Sequence, residues 1–178
     1  MLASFHLVRS LTTTMNEESE NRREINPLVM EAATIWIRSR LSASGLIKRE
    51  PEQQNIHMVY CLGIQIYLST VMQNPIERGL DQNELISTLK SHLSHVGIQA
   101  MLSPLVLWTV FFGGFAAPTF MDRTWFVALL RDIARASNFS AWHTIESILK
   151  SLAWVEKKHG EHGRLLWSVV TKNHKNTL

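Results

Sequence analysis

The chain has 178 residues, 46% of them hydrophobic and 19% charged, with a net charge of +3 and six tryptophans. A polypeptide of that length buries about two thirds of its unfolded surface, so neither a disulfide nor a metal is needed for folding, and the apolar content excludes a disordered chain. The basic residues are spread along the sequence, with a small excess at Lys157, Lys158, Arg164, Lys172 and Lys175; without a dense stripe of charge, direct nucleic-acid binding is not expected.

The first fifteen residues, MLASFHLVRSLTTTM, hold one arginine, several hydroxyl residues and no acid. This weakly resembles a mitochondrial transit peptide. Residues 1–24 are read as a disordered leader, with NEESENRRE as a solvated spacer, and residues 25–178 as one all-helical domain. Ile25, Leu28, Val29, Ala32, Ile35 and Trp36 recur at three- and four-residue spacing and define the apolar face of a first helix. Ser44-Gly45 marks its stop, and IKREPEQQ, with Pro51 inside it, reads as a charged linker.

Asn55 to Met72 is a second helix, apolar nearly all round, ended by a loop at QNPIERG. Its single cysteine, Cys61, allows no intramolecular disulfide, which points to an intracellular chain. Cys61 reads as a small core hydrophobe, because the local sequence supplies no base to make it a nucleophile. Asp81 with Glu84 has the spacing of a capping box and opens a third helix. Its stripe is Leu85, Leu89, Leu93 and Val96, and Gly97 should close it. His92 and His95 lie beside the stripe and read as solvated.

Ser103-Pro104 is an N-cap followed by proline at the first helical position. The helix it opens, through LWTVFFGGFAA, should stop at Gly113-Gly114, before Pro118. Asp122 reads as the next N-cap, with Trp125, Phe126, Leu129, Leu130 and Ile133 as the stripe of a helix ending near Ser137. Ser140 would cap a further helix bearing Trp142, Ile145, Leu149, Leu152 and Val155. KKHGEHG then breaks the pattern, and Arg164 to Lys172 forms a last short helix. The fold expected is all-α, six or seven helices packed around a central apolar helix.

Two windows lack charge, His95 to Asp122 (between those residues) and Gln53 to Ile76. A membrane span needs about 20 apolar residues in continuous helix. Pro104, the glycine pair and Pro118 cut the first window; Asn55, His57, Gln65 and Gln73 dilute the second; neither has basic flanks that fix an orientation. Buried helices account for both.

No chemistry stands out. The glycine pair lacks the Lys-Ser/Thr of a phosphate loop and the third glycine of a dinucleotide fingerprint. His159 and His162 flank Glu161, but the adjoining glycines favour a polar turn, His174 is the only further ligand nearby, and a structural zinc takes four. No paired carboxylates share a buried face. No catalytic, cofactor-binding or metal-binding residue is therefore assigned, and no cofactor is expected.

Taken together, Leu107-Trp108, Phe111 or Phe112, Gly113-Gly114 and Ala116-Ala117, then Arg123, Trp125 and Phe126, resemble a pattern late in the helical regulatory region of fungal binuclear zinc-cluster transcription factors. Trp142, Ile145, Leu149, Trp154, Leu166 and Trp167 look like its later positions, with Ala153 where an aromatic is common. The likeness runs from about Ile98 to Trp167. It implies a non-catalytic regulatory or protein-interaction module in transcription control, in the nucleus, with the cytoplasm as alternative. That family binds DNA through six cysteines holding two zinc ions, and Cys61 stands alone here, so no DNA contact by this chain is implied. The chain reads as a C-terminal remnant, a truncated product or a standalone relative. If helices that cover Leu107–Ala117 in the family are missing, exposed apolar surface should mediate self-association or binding of a partner protein; the sequence identifies no small-molecule effector. The alternatives are a small helical membrane-associated protein and an enzyme whose site is assembled from distant residues.

Overall fold

The computed structural model describes residues 2–20, 31–37, 39–40, 50–71 and 82–172, and every regular element among them is helical. The elements are α1 (Leu2–Glu20), α2 (Pro51–Val71), α3 (Gln82–Leu93), α4 (Ile98–Met101), α5 (Pro104–Ala116), α6 (Phe120–Ala136), α7 (Trp142–Leu152) and α8 (Glu156–Lys172). A further helical stretch covers 31–37 and 39–40.

Helix α5 starts as its sequence dictates. Ser103 sits in extended conformation, its hydroxyl accepts from the Val106 N–H at 3.2 Å, and Pro104 follows in the first turn. Every residue from Val106 to Gly114 is buried. The helix packs mainly on α2 and α6, and touches α3, α4, α7 and α8 as well.

The glycine pair does not end this helix. It continues to Ala116, and both glycines are buried inside it. A Cβ on Gly113 would lie 2.4 Å from Cε1 of Phe126, and one on Gly114 would lie 3.1 Å from Phe126 Cβ. The pair is the seat on which the Phe126 ring of α6 rests. Glycine in a helix interior costs about 1 kcal/mol relative to alanine, and the close crossing offsets it. Gly63 of α2 plays the same part at the crossing with α5, where an added Cβ would meet Thr109 Oγ1 at 2.4 Å. Pro118 supplies the stop, since the residue before a proline avoids the helical region; Ala117 is at φ −55°, ψ 122°.

Other boundaries move for local reasons. Pro51 is not in a linker: it is the first residue of α2, where its missing N–H is harmless. Asp81, the expected cap of α3, lies outside the described residues. Leu85, Ile86, Leu89 and Leu93 are buried, but the helix ends at Leu93, and Gly97 is the extended N-cap of α4 instead of a terminator. Thr119, not Asp122, caps α6. Its hydroxyl accepts from the Asp122 N–H at 3.1 Å and donates to the Asp122 carboxylate at 2.6 Å. At the other end Asn138 has φ 56°. The Phe139 N–H bonds Ala134 O at 2.8 Å and the Asn138 N–H bonds Arg135 O at 3.2 Å, the paired closure of a Schellman motif. The N-cap of α7 is Ala141, without a side-chain bond, and not Ser140.

A larger correction concerns the C-terminal end. KKHGEHG is the first half of α8, not a break; the interruption is the extended triplet 153–155. His159, Gly160, Gly163, Leu166, Trp167 and Val170 are buried along one helical stripe. The glycines make room: a Cβ on Gly163 would stand 2.5 Å from Trp154 and 3.3 Å from Trp142. The segment expected as a disordered leader is helical over Leu2–Glu20, with Val8, Thr12 and Met15 buried; the boundary at 24/25 lies outside the described residues. In the 31–37 stretch the expected face is reversed. Ile35 and Trp36 are 59% and 42% exposed, whereas Thr34 and Ile37 are 1% exposed. Ile25, Leu28 and Val29 lie outside the described residues.

Candidate functional site

The densest polar and aromatic cluster forms where the C-terminal turn of α2 meets the N-terminal turn of α8. Tyr67 and Thr70 come from α2, Phe112 and Phe115 from α5, Trp154 and Val155 from the extended triplet, and His159 from α8. The His159 ring is enclosed by Phe112, Trp154, Phe115 and Tyr67 at centroid distances of 4.9, 5.2, 5.3 and 5.6 Å. Burial, reinforced by the Lys158 charge and only partly opposed by Glu156, pushes its pKa down from 6.5 to about 3. The imidazole is therefore neutral, and its bonds fix the tautomer. The Val155 N–H donates to Nδ1 at 3.1 Å, so Nε2 carries the hydrogen and donates to Thr70 Oγ1 at 3.0 Å. The Thr70 hydroxyl in turn donates to Tyr67 O at 2.7 Å. Both ring nitrogens are engaged, which leaves no lone pair for a metal.

His162, one turn along, is exposed and meets only the edge of Phe115. The two histidines of HGEHG thus diverge, and no group of three His, Cys, Asp or Glu capable of holding a metal occurs among the described residues. Lys158 reaches the other way and donates to Val71 O, closing the end of α2; partial burial, with Lys157 beside it, lowers its pKa. Cys61 has a neighbour that the sequence reading missed. His57, one turn earlier on α2, brings Nε2 to 3.5 Å from Cys61 Sγ. Both are buried in the core, so the pair is packing material with no path for a substrate. His95 is exposed as expected, but His92 is half-buried and bonds Asn55 Oδ1 at 2.9 Å.

Helix α1 lies over this cluster and is tied to it by polar bonds. Thr12 Oγ1 donates to Val8 O at 2.8 Å and shares a 2.7 Å bond with the Tyr67 hydroxyl, whose pKa burial raises despite that bond. Asn16 donates to Trp154 O at 2.8 Å and accepts from the Glu156 N–H at 3.3 Å. Beside these tethers runs a cleft of about 310 Å³. Arg9, Thr12, Thr13 and Asn16 form one wall; Lys150, Leu152, Trp154 and Glu156 form the other.

The second wall carries a ring of charge. Lys150 bridges Glu146 and Glu156, each at 3.1 Å, and Arg164 lies 3.1 Å from Glu156 and 3.7 Å from Glu146. Burial pushes the Glu156 pKa up, but Lys150, Trp154 and Arg164 together outweigh it and hold it low. The hydrogen bonds to Glu146 and Glu156 raise that of Lys150. These groups are largely solvated, so the ring orients side chains more than it stabilises the fold.

Several of the residues that carry the transcription-factor resemblance meet where α5 packs on its neighbours. Trp108 donates its indole N–H to Ala153 O at 2.9 Å; Phe126 covers the glycine pair; a Cβ on Gly114 would also touch Leu166 at 3.6 Å. The family model of the fungal specific transcription factor domain matches residues 5–178. The chain belongs to this family. The match reaches well beyond the Ile98–Trp167 stretch that carried the resemblance and takes in nearly all of α1. Curated proteins and solved structures give no match to the chain. Membership gives this domain a regulatory role in transcription, for which the nucleus is the expected compartment. Among the described residues no helix is long and apolar enough to cross a membrane.

Proposed function

We propose that this domain is a regulatory module of transcription control that acts in the nucleus by binding another protein, without catalysis and without touching DNA itself. The family match over residues 5–178 carries the reading. Two further features support it. The sequence holds one cysteine, too few for the six-cysteine cluster through which zinc-cluster regulators grip DNA. Large apolar side chains are also left in solvent: Phe120 and Met121, at the start of α6, are 81% and 75% exposed, and Leu165 and Val169, one turn apart on α8, are exposed as well. Exposed apolar groups of this size mark association surfaces when they cluster. In this reading α1 and the helices from α2 onward form a single domain.

The test is a reporter assay with the chain tethered to a foreign DNA-binding domain. The reading requires a several-fold change in reporter output. It further requires that Phe120→Ser with Met121→Ser abolish the change while leaving the thermal transition in place. Unchanged output from the tethered wild type would refute it. Light scattering of the purified chain separates a second copy of itself from a different partner.

A further inference from the structure

We propose that the cleft between α1 and the α7–α8 junction binds a small organic carboxylate. This goes beyond the regulatory reading and stands or falls without it. The cleft, at about 310 Å³, lies at the lower end of the range of ligand sites, about 300–1,000 Å³. Arg9, Thr12, Thr13 and Asn16 fall at i, i+3, i+4 and i+7, so one face of α1 forms a continuous wall.

Charge selects the ligand. On the far wall Lys150 faces Glu156, one cation against one carboxylate, and Glu146 and Arg164 pair with them from outside the lining. Arg9 adds a second cation to the lining, so with Lys150 and Glu156 the cleft holds one positive charge in excess. A guanidinium matches a carboxylate with two parallel N–H···O bonds. Lys150 has three N–H donors, and Glu146 and Glu156 take two; the third is left for the same anion. Thr12 spends its single donor on Val8 O, and Asn16 spends one of its two amide N–H groups on Trp154 O and keeps the other. Leu152 and Trp154 give an apolar floor for the body of the ligand. Glu156 on the far wall repels negative charge, which disfavours a phosphate dianion more than a singly charged carboxylate.

The experiment uses the full chain with benzoate as probe, its neutral isostere benzamide, and inorganic phosphate as competitor. Titration calorimetry and saturation-transfer NMR should show saturable benzoate binding, with a dissociation constant on the order of millimolar for so small a molecule. Benzamide should not bind. Arg9→Gln leaves the buried face of α1 (Val8, Thr12, Met15) intact and should weaken benzoate at least about tenfold. Benzamide binding as tightly as benzoate, phosphate displacing benzoate at equal concentration, or an unchanged affinity in Arg9→Gln would each overturn the proposal, as would absence of benzoate binding. The benzoate–benzamide comparison needs only the wild type and does not depend on how the variant folds.

Discussion

Gly113→Ala separates two opposite expectations. As an ordinary helix-interior glycine, Gly113 would gain about 1 kcal/mol of stability on becoming alanine. The geometry reverses the sign. The new Cβ would stand 2.4 Å from Phe126 Cε1 and 2.7 Å from Cζ, where carbon atoms pack at about 3.5–4 Å. The ring is fully buried between helices, so it must move by about 1 Å inside a filled core. Overpacking of this kind costs about 1–3 kcal/mol, and a displaced ring belongs at the upper end. The net expectation is a loss of about 2 kcal/mol, a fall of roughly 4–8 °C in Tm for a chain of this size. Gly114→Ala is the internal control. Its Cβ would meet Phe126 Cβ at 3.1 Å, which a small adjustment relieves, so the propensity gain roughly cancels the strain. Urea unfolding followed by tryptophan fluorescence measures both. Phe126→Leu should then relieve Gly113→Ala, with a coupling of at least about 1 kcal/mol in a double-mutant cycle. A neutral or stabilising Gly113→Ala, or equal effects at the two glycines, would show that the α5–α6 crossing is not seated as described.

His159 has a folded pKa of about 3 against an ordinary 6.5. Its contribution is therefore whole above pH 6.5 and falls as pH drops towards 3, by about 2 kcal/mol between pH 7 and pH 5. Urea midpoints against pH should show this acid limb in the wild type and a flatter one in His159→Gln. Trp108→Phe leaves the buried Ala153 carbonyl without its donor and opens a small void; equilibrium unfolding should record a loss of about 2–3 kcal/mol. At Asn138, φ 56° favours glycine, so Asn138→Gly should gain up to about 1 kcal/mol and Asn138→Val should lose about 1–2 in the same assay. Thr12→Val removes the bond to Tyr67, and amide exchange of α1 should quicken roughly fivefold while α5 stays protected.

What the sequence made legible is what rests on one strong local signal. Ser103-Pro104 opens α5 as read, and the stripe of α6 buries Phe126, Leu130 and Ile133 as its spacing required. The errors share a cause. Glycine and histidine count as polar or as breakers in a hydropathy pattern, so the buried stripe of α8 through His159, Gly160 and Gly163 reads as a turn. Only the tertiary contacts, Phe126 over Gly113 and Trp154 against Gly163, turn those glycines into packing surfaces. Helix α1 docks by mixed means: Val8 and Met15 bury, and Thr12 and Asn16 hold it through hydrogen bonds that no hydropathy pattern reveals. The reversed face at Ile35 and Trp36 shows the converse, an apolar repeat pointing outward while Ile37 turns in. The family resemblance was visible because most of its residues are packing residues: Trp108, Phe126, Ile145, Leu149, Trp154, Leu166 and Trp167 are all buried. The cleft was not, because Arg9 and Lys150 are far apart in sequence and meet only through the docking of α1.

The charge-free helix α5 is enclosed by its neighbours from Val106 to Gly114. Amide hydrogen exchange read by mass spectrometry tests this directly. Peptides covering 104–116 should exchange slowest in the chain, opening only with global unfolding, and should do so unchanged in the absence of detergent or lipid. Exchange there as fast as in α1, or protection that appears only with detergent, would contradict it.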